Sequence, residues 1–146
     1  MPLHRITSVD DLLCQLIVDD PVRPELGIDF RVNASSEIFV LLDDYGKPLS
    51  VLCCRYKDRV PSSVEELGVA NISSAHIAIF YTVWSYNPGS GKKLIHSVRS
   101  WLGENRSDIS EYVTLSPLTH MARVFHLRNG AEVFRVNTDT INYKYA

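Results

Sequence analysis

The stretch S-Y-N-P-G-S-G-K-K-L-I, residues 85–95, decides how the rest of the chain is read. It follows a long apolar run, residues 75–85. It opens onto Leu94, Ile95, Val98, Trp101 and Leu102, which recur at helical spacing and mark one face of a helix ending near Gly103. The unit is therefore strand, glycine turn, helix. A helix that begins with Lys92 and Lys93 is electrostatically unusual, because the unpaired N–H groups and dipole of a first turn favour Asp and Glu. Small residues at such a turn let backbone N–H groups approach phosphate oxygens, and the dipole adds attraction. Gly89, Ser90, Gly91, Lys92 and Lys93 read together as a local anion cradle.

Two nucleotide motifs are excluded by position. The P-loop, G-x-x-x-x-G-K-[ST], needs glycine where Tyr86 stands and a hydroxyl where Lys93 stands. The dinucleotide fingerprint G-x-G-x-x-G has Leu94 at its third glycine, and no early βαβ unit leads the chain. The rest of the composition makes the anion site local. A formal charge of −2 and a pI near 6.2 give no general polyanion-binding surface, so no nucleic-acid partner is expected. The 146 residues, 45% apolar and 22% charged, suit one globular domain, residues 1–146, with a real core. No run of 18 apolar residues occurs and the N-terminus has neither a signal nor a transit pattern, so a soluble cytoplasmic protein without a membrane partner is expected. Cys14, Cys53 and Cys54 lack metal-ligand spacing and read as reduced core thiols, with no metal site.

Working outward from the glycine turn, Val9, Leu12, Leu13, Leu16 and Ile17 predict a first helix over residues 8–18, with Ser8 as its cap. Residues 19–36, with two prolines and a glycine, predict a loop containing at most a short strand or helical turn. Residues 37–42 and 48–56 are β-rich runs around the hairpin signal D-D-Y-G-K. A short helix over residues 62–69 leads into the long strand. Beyond the central helix come a buried strand over residues 111–115 and a helix over residues 118–127 with Leu118, Met121, Ala122 and Phe125 inward. That helix ends at Asn129-Gly130, and strands over residues 131–136 and 140–145 close the chain. The expected fold class is α/β of the α+β kind: a mixed sheet with helices on both faces.

The spacing Gly89-x-Gly91-x-x-Leu94-Ile95 after the longest strand resembles the glycine motif of the GCN5-related N-acetyltransferase (GNAT) superfamily, [RQ]-x-x-G-x-[GA], with Tyr86 in the Arg/Gln slot. A second motif of that superfamily, N-x-x-A-x-x-x-Y-x-x-x-G-[FA], is similar to residues 119–131, where Ala122, Gly130 and Ala131 match, Thr119 replaces the Asn and His126 replaces the Tyr. The element order agrees over nearly the whole chain. The resemblance implies a mostly antiparallel central sheet whose fourth and fifth strands splay apart. The pantetheine arm of acetyl-CoA lies in that gap and its pyrophosphate rests on the glycine turn. It places the cosubstrate against Val83, Trp84, Gly89, Ser90, Gly91, Lys92, Lys93 and Ser116, with a backbone N–H near Val83 or Trp84 polarising the thioester carbonyl. Ser116-Pro117 supports the splay independently, since proline lacks an N–H for a ladder.

The implied reaction is transfer of an acetyl group to an amine of a small molecule or protein, with His126 or Tyr86 as the acid that protonates the departing CoA thiolate. His126 at its ordinary pKa suits an acid working near neutral pH; the competing structural reading makes it a helix-end cation. His76, Glu111 and His120 are candidate bases, and His96 and Arg99 candidate extensions of the phosphate site. The loop over residues 19–25 is a candidate wall of the acceptor pocket. Two alternatives keep the fold: decarboxylation of malonyl-CoA, which some GNAT-like domains perform with a His in place of the Tyr, and a CoA-binding module without catalysis. The short terminal strands are candidates to pair across a homodimer.

Overall fold

The computed structural model describes residues 2–146. Among the described residues eight strands form one sheet in the order β1-β2-β3-β4-β5-β8-β6, with β7 on the free side of β8. Strands β1 (Leu3–Ile6), β2 (Ser36–Leu42), β3 (Pro48–Lys57) and β4 (Ile77–Ser85) are paired antiparallel, and β5 (Glu111–Thr114) joins β4 in parallel. Strands β6 (Ser116–Pro117), β7 (Glu132–Val136) and β8 (Thr140–Tyr145) complete it, β8 pairing antiparallel with β5, β6 and β7. The chain thus has the mixed, mostly antiparallel GNAT-like sheet that the two motifs imply.

One apolar face packs on α3 (Ser90–Asn105), which inserts Leu94, Ile95, Val98 and Leu102 over Phe39, Leu52, Cys54, Ala78 and Phe80. The other packs Ile38, Val40, Cys53, Ile79 and Tyr81 against Leu13, Leu16, Ile17, Phe30 and Leu67. Those partners come from a 3₁₀-helix (Leu12–Asp19), α1 (Ile28–Arg31) and α2 (Val64–Gly68). Periodic apolar residues explain both layers: β2 and β3 are buried on both faces, while α3 shows only one stripe.

The structure departs from the sequence reading in three places. The first helix is 3₁₀ and starts later: Asp11, not Ser8, caps it by accepting from the Leu13 N–H at 2.9 Å, and Ser8 Oγ accepts from Asp10 instead. Leu13 and Leu16 stand three apart, the period of the tighter helix, whereas Val9, Leu12 and Val18 face solvent. Strand β1, too short for a period-two signal, pairs along β2. Met121 in α4 (His120–Arg128) is 83% exposed rather than inward and borders the cleft described below, and Leu118, ahead of the helix, is 50% exposed rather than inward. Within the glycine turn the left-handed residue is Gly89, with φ of 82°, and Gly91 lies in the first turn of α3.

Candidate active site

Two irregularities of β4 open the site. Register with β3 steps from Cys53↔Thr82 to Cys54↔Phe80, so Tyr81 is an extra residue, a β-bulge that bends the strand. The parallel ladder with β5 runs only from Ile77↔Glu111 to Phe80↔Thr114, and its last rung is the Leu115 N–H donating to Phe80 O at 3.2 Å. Past that rung Ser116 and Pro117 leave β4 and pair with β8, while Tyr81 to Ser85 keep only β3 as neighbour. The splay of the fourth and fifth strands is therefore present, and proline sits where the ladder stops.

The gap is a cleft of about 370 Å³. Residues 80–85 form one wall and Leu115, Ser116 and Pro117 the other; Met121, Ala122, Phe125 and His126 of α4 and Pro21 and Val22 of the preceding loop close it. Ser85, Met121 and Phe125 are shared with a wider groove of about 960 Å³ lined by Gly89, Gly91, Lys92, His120, Arg128 and Asn129. An apolar slot thus opens at one end onto a basic groove at the start of α3. A Cβ on Gly91 would come to 2.9 Å from Ser85 Oγ and 3.2 Å from the Phe125 ring, so α3 and α4 approach as closely as they do only because this residue is glycine. The Cβ-free turn, the exposed Lys92 and the buried, unpartnered Asn129 Nδ2 beside the groove fit the phosphates and polar head of a CoA thioester.

His126 is 6% exposed and forms part of the slot. Its Nδ1 lies 2.7 Å from Tyr145 Oη, and its ring stacks on Tyr143 at 5.1 Å and meets Phe125 edge-on. Burial among aromatic rings penalises the imidazolium and pushes the pKa from 6.5 down to about 4. Of the two readings of His126 left open by the sequence, the helix-end cation and the acid working at its ordinary pKa, this burial disfavours both, because it favours the neutral imidazole. Since Nδ1 is engaged by Tyr145, Nε2 is the nitrogen left for a ligand. Ser116 is buried on the same cleft, its Oγ 2.7 Å from Thr114 Oγ1.

The remaining candidates separate. Val83 and Trp84 line the slot; Gly89, Gly91 and Lys92 line the groove. Ser90 is buried beneath the turn, outside the groove lining, with its hydroxyl within hydrogen-bond reach of the Leu49 and Asn87 carbonyls, which anchors the turn. Lys93 is exposed and outside the groove lining. Tyr86 lines neither cavity: its hydroxyl donates to Asp19 at 2.7 Å and accepts from Trp84 Nε1 at 3.0 Å, and burial with the Asp19 contact raises its pKa to about 12. His76 and Glu111 meet at 3.6 Å at the far ends of β4 and β5, away from the splay. Arg99 lies over the Tyr112 ring. His120 does line the groove. Thr82 and Thr114 fall on the two strand segments that the resemblance lays along the pantetheine, whereas Tyr145 carries no such signal; alternation in N-Y-K-Y places Tyr143 and Tyr145 on one face of β8, but only the packing of α4 shows that this face meets His126.

No family model matches the chain, and no curated protein is significantly similar to it. Solved structures are similar at low identity. The malonyl-CoA decarboxylase of Rhodopseudomonas palustris superposes with a TM-score of 0.77 at 17% identity, over 99% of this chain and 59% of that one. The N-acetyltransferase PseH of Campylobacter jejuni gives 0.63 at 13%, over 99% and 96%, and has also been solved with acetyl coenzyme A. Tetrahymena GCN5 gives 0.62 at 12%, over 99% and 97%. The chain spans 36–60% of the length of three malonyl-CoA decarboxylases that it matches. These likenesses show the GNAT fold.

Proposed function

We propose that this domain binds a CoA thioester in the splayed cleft and that its reaction is the decarboxylation of malonyl-CoA to acetyl-CoA and CO₂. The observation that carries this reading is His126: a buried, neutral imidazole in an apolar slot whose described lining holds no Asp or Glu. With a pKa near 4, too little imidazolium exists at neutral pH to protonate a thiolate efficiently, and the lining supplies no carboxylate to deprotonate an attacking amine. A neutral imidazole N–H is instead suited to polarise a carbonyl oxygen that gains charge.

In decarboxylation the bond between the α-carbon and the carboxylate breaks, its electron pair moves into the thioester to form an enolate, and CO₂ departs. His126 Nε2–H donates to the enolate oxygen, helped by the backbone of the bulged strand β4. The α-carbon then takes one proton from water. An apolar wall of Phe80, Val83, Leu115 and Phe125 disfavours the localised carboxylate more than the delocalised transition state. Gly89, Gly91 and Lys92 hold the phosphates, which keeps the thioester in register with His126. The TM-scores of 0.70–0.77 with malonyl-CoA decarboxylases, against 0.58–0.63 with acetyltransferases, support the same choice.

Acetyl transfer to an amine is the second reading, favoured by the match to nearly the full length of PseH and GCN5. One experiment separates them: the protein is given malonyl-CoA alone, then acetyl-CoA with and without a panel of amines. Acetyl-CoA and CO₂ formed from malonyl-CoA without acceptor is the expected result. Release of CoA from acetyl-CoA only when an amine is present, with malonyl-CoA untouched, overturns the decarboxylase in favour of the transferase.

A further inference from the structure

One buried carboxylate ties together the walls at the inner end of the cleft. Asp20 Oδ2 accepts from Arg31 Nη1 at 2.7 Å with both side chains withdrawn from solvent. Its Oδ1 accepts from the backbone N–H of Val22 at 2.8 Å and of Arg23 at 3.0 Å, and from Thr82 Oγ1 at 2.9 Å. Arg31 is bonded further to the Leu26 and Arg23 carbonyls. Arg23 in turn donates through Nη2 to Leu115 O at 3.1 Å, at the residue whose N–H makes the last rung between β4 and β5. A continuous set of bonds runs from the bulged strand through Asp20 to the loop over residues 20–25 and back to the end of β5.

Such a buried ion pair is seldom the most stabilising choice, since well-packed apolar residues do as well. What this pair adds is position. It holds the backbone of Val22 to the same carboxylate oxygen that takes Thr82, the residue after the bulge, and Val22 lines the slot together with Tyr81, Thr82, Leu115 and His126, none of which lines the phosphate groove. The reactive end of a bound thioester therefore meets Val22.

We propose that Val22, held by Asp20 through Thr82 and Arg31, is the wall that restricts the acyl group to a short unbranched one, so that malonyl-CoA is accepted and 2-methylmalonyl-CoA is refused. This rests on the reading of the cleft as a CoA-thioester site. Val22 determines specificity by contact and Asp20 is a positioning residue that acts through it; Thr82, itself on the slot wall, adds the bond that ties Asp20 to β4.

The test compares the unmutated protein with Val22→Ala and Thr82→Val, all checked for cooperative melting. The readout is the ratio of kcat/KM for 2-methylmalonyl-CoA over malonyl-CoA. The ratio of the two dissociation constants, measured by calorimetry, is obtained independently of turnover. Removing wall volume in Val22→Ala should raise both ratios about tenfold, the usual scale for one methyl group in an apolar pocket. Thr82→Val keeps the side-chain shape and the Asp20–Arg31 pair but cuts the tether to β4, and should raise the ratios by a smaller factor. Unchanged ratios in a folded Val22→Ala overturn the wall; a rise there without one in Thr82→Val overturns the positioning role. A protein that binds both thioesters and decarboxylates neither refutes the decarboxylase while the binding ratio still decides the wall. A protein that binds no CoA thioester refutes both.

Discussion

At the residue scale, His126 shows how packing resets chemistry. A histidine near the end of a helix is ordinarily stabilised in its charged form, yet the rings of Phe125, Tyr143 and Tyr145 exclude water and move its pKa to about 4. The folded pKa lies below the unfolded value, so the unfolded chain binds the extra proton between about pH 6.5 and 4, and stability falls as pH drops through that window. The loss amounts to a few kcal/mol by pH 4 and should be absent in His126→Gln, which urea titrations at pH 7 and pH 4.5 will show. Turnover by the unmutated protein should stay flat between pH 6 and 8 and decline only toward pH 4. His126→Ala should lower kcat ~10²-fold or more with little change in thioester affinity, because a donor to the developing charge acts only in the transition state. Full turnover in that variant would remove His126 from the chemistry. Asp20 makes the contrasting case: Asp20→Ala strands Arg31 as an unpaired buried cation and should destabilise by about 3–5 kcal/mol in denaturant titrations.

At the element scale, the start of α3 is where binding is decided. Gly89 supplies the left-handed residue that turns β4 into the helix, and Gly91 lets α3 and α4 close on one another. Val at position 91 would push against Ser85 and the Phe125 ring, so Gly91→Val should abolish stabilisation by CoA thioesters. In the unmutated protein malonyl-CoA or acetyl-CoA at about 100 times its dissociation constant should stabilise the fold by roughly 2.7 kcal/mol, visible as a raised Tm. Lys92→Ala should weaken binding by about 1–2 kcal/mol, as for a partly exposed charge-assisted contact. Unaltered thermal shifts in both variants would place the cosubstrate elsewhere.

At the scale of the whole molecule, β8 is the strand on which the site depends. It joins β5, β6 and β7, carries Tyr145 to His126, and through Asn142 Nδ2 donates to the Thr114 and Pro61 carbonyls. A chain ended before Thr140 loses every one of these bonds and should no longer unfold cooperatively when melting is followed by circular dichroism. Tyr145→Phe removes only the partner of His126 and should leave folding cooperative while lowering kcat more than it changes KM.

The amino-acid sequence by itself determined the central strand, the glycine turn and the helix after it, because local backbone freedom and apolar period are written in consecutive residues. It also determined the β2–β3 hairpin, where Asp43 accepts from the Tyr45 and Lys47 N–H groups and Gly46 adopts φ of 81°. Two spaced motifs then made the GNAT-like order of elements legible, the splay included. Only the tertiary structure decided what depends on neighbours distant in the chain. The 3₁₀ form of the first helix, with Leu13, Cys14, Leu16 and Ile17 packed on the sheet, and the exposure of Met121 at the edge of the cleft are both settled by tertiary contacts. The neutral His126 depends on Tyr145, nineteen positions away, and the loop wall on Asp20 meeting Thr82 across sixty-two. Protonation state and cleft width are set by burial and by bonds between such residues, and neither leaves a pattern in local spacing.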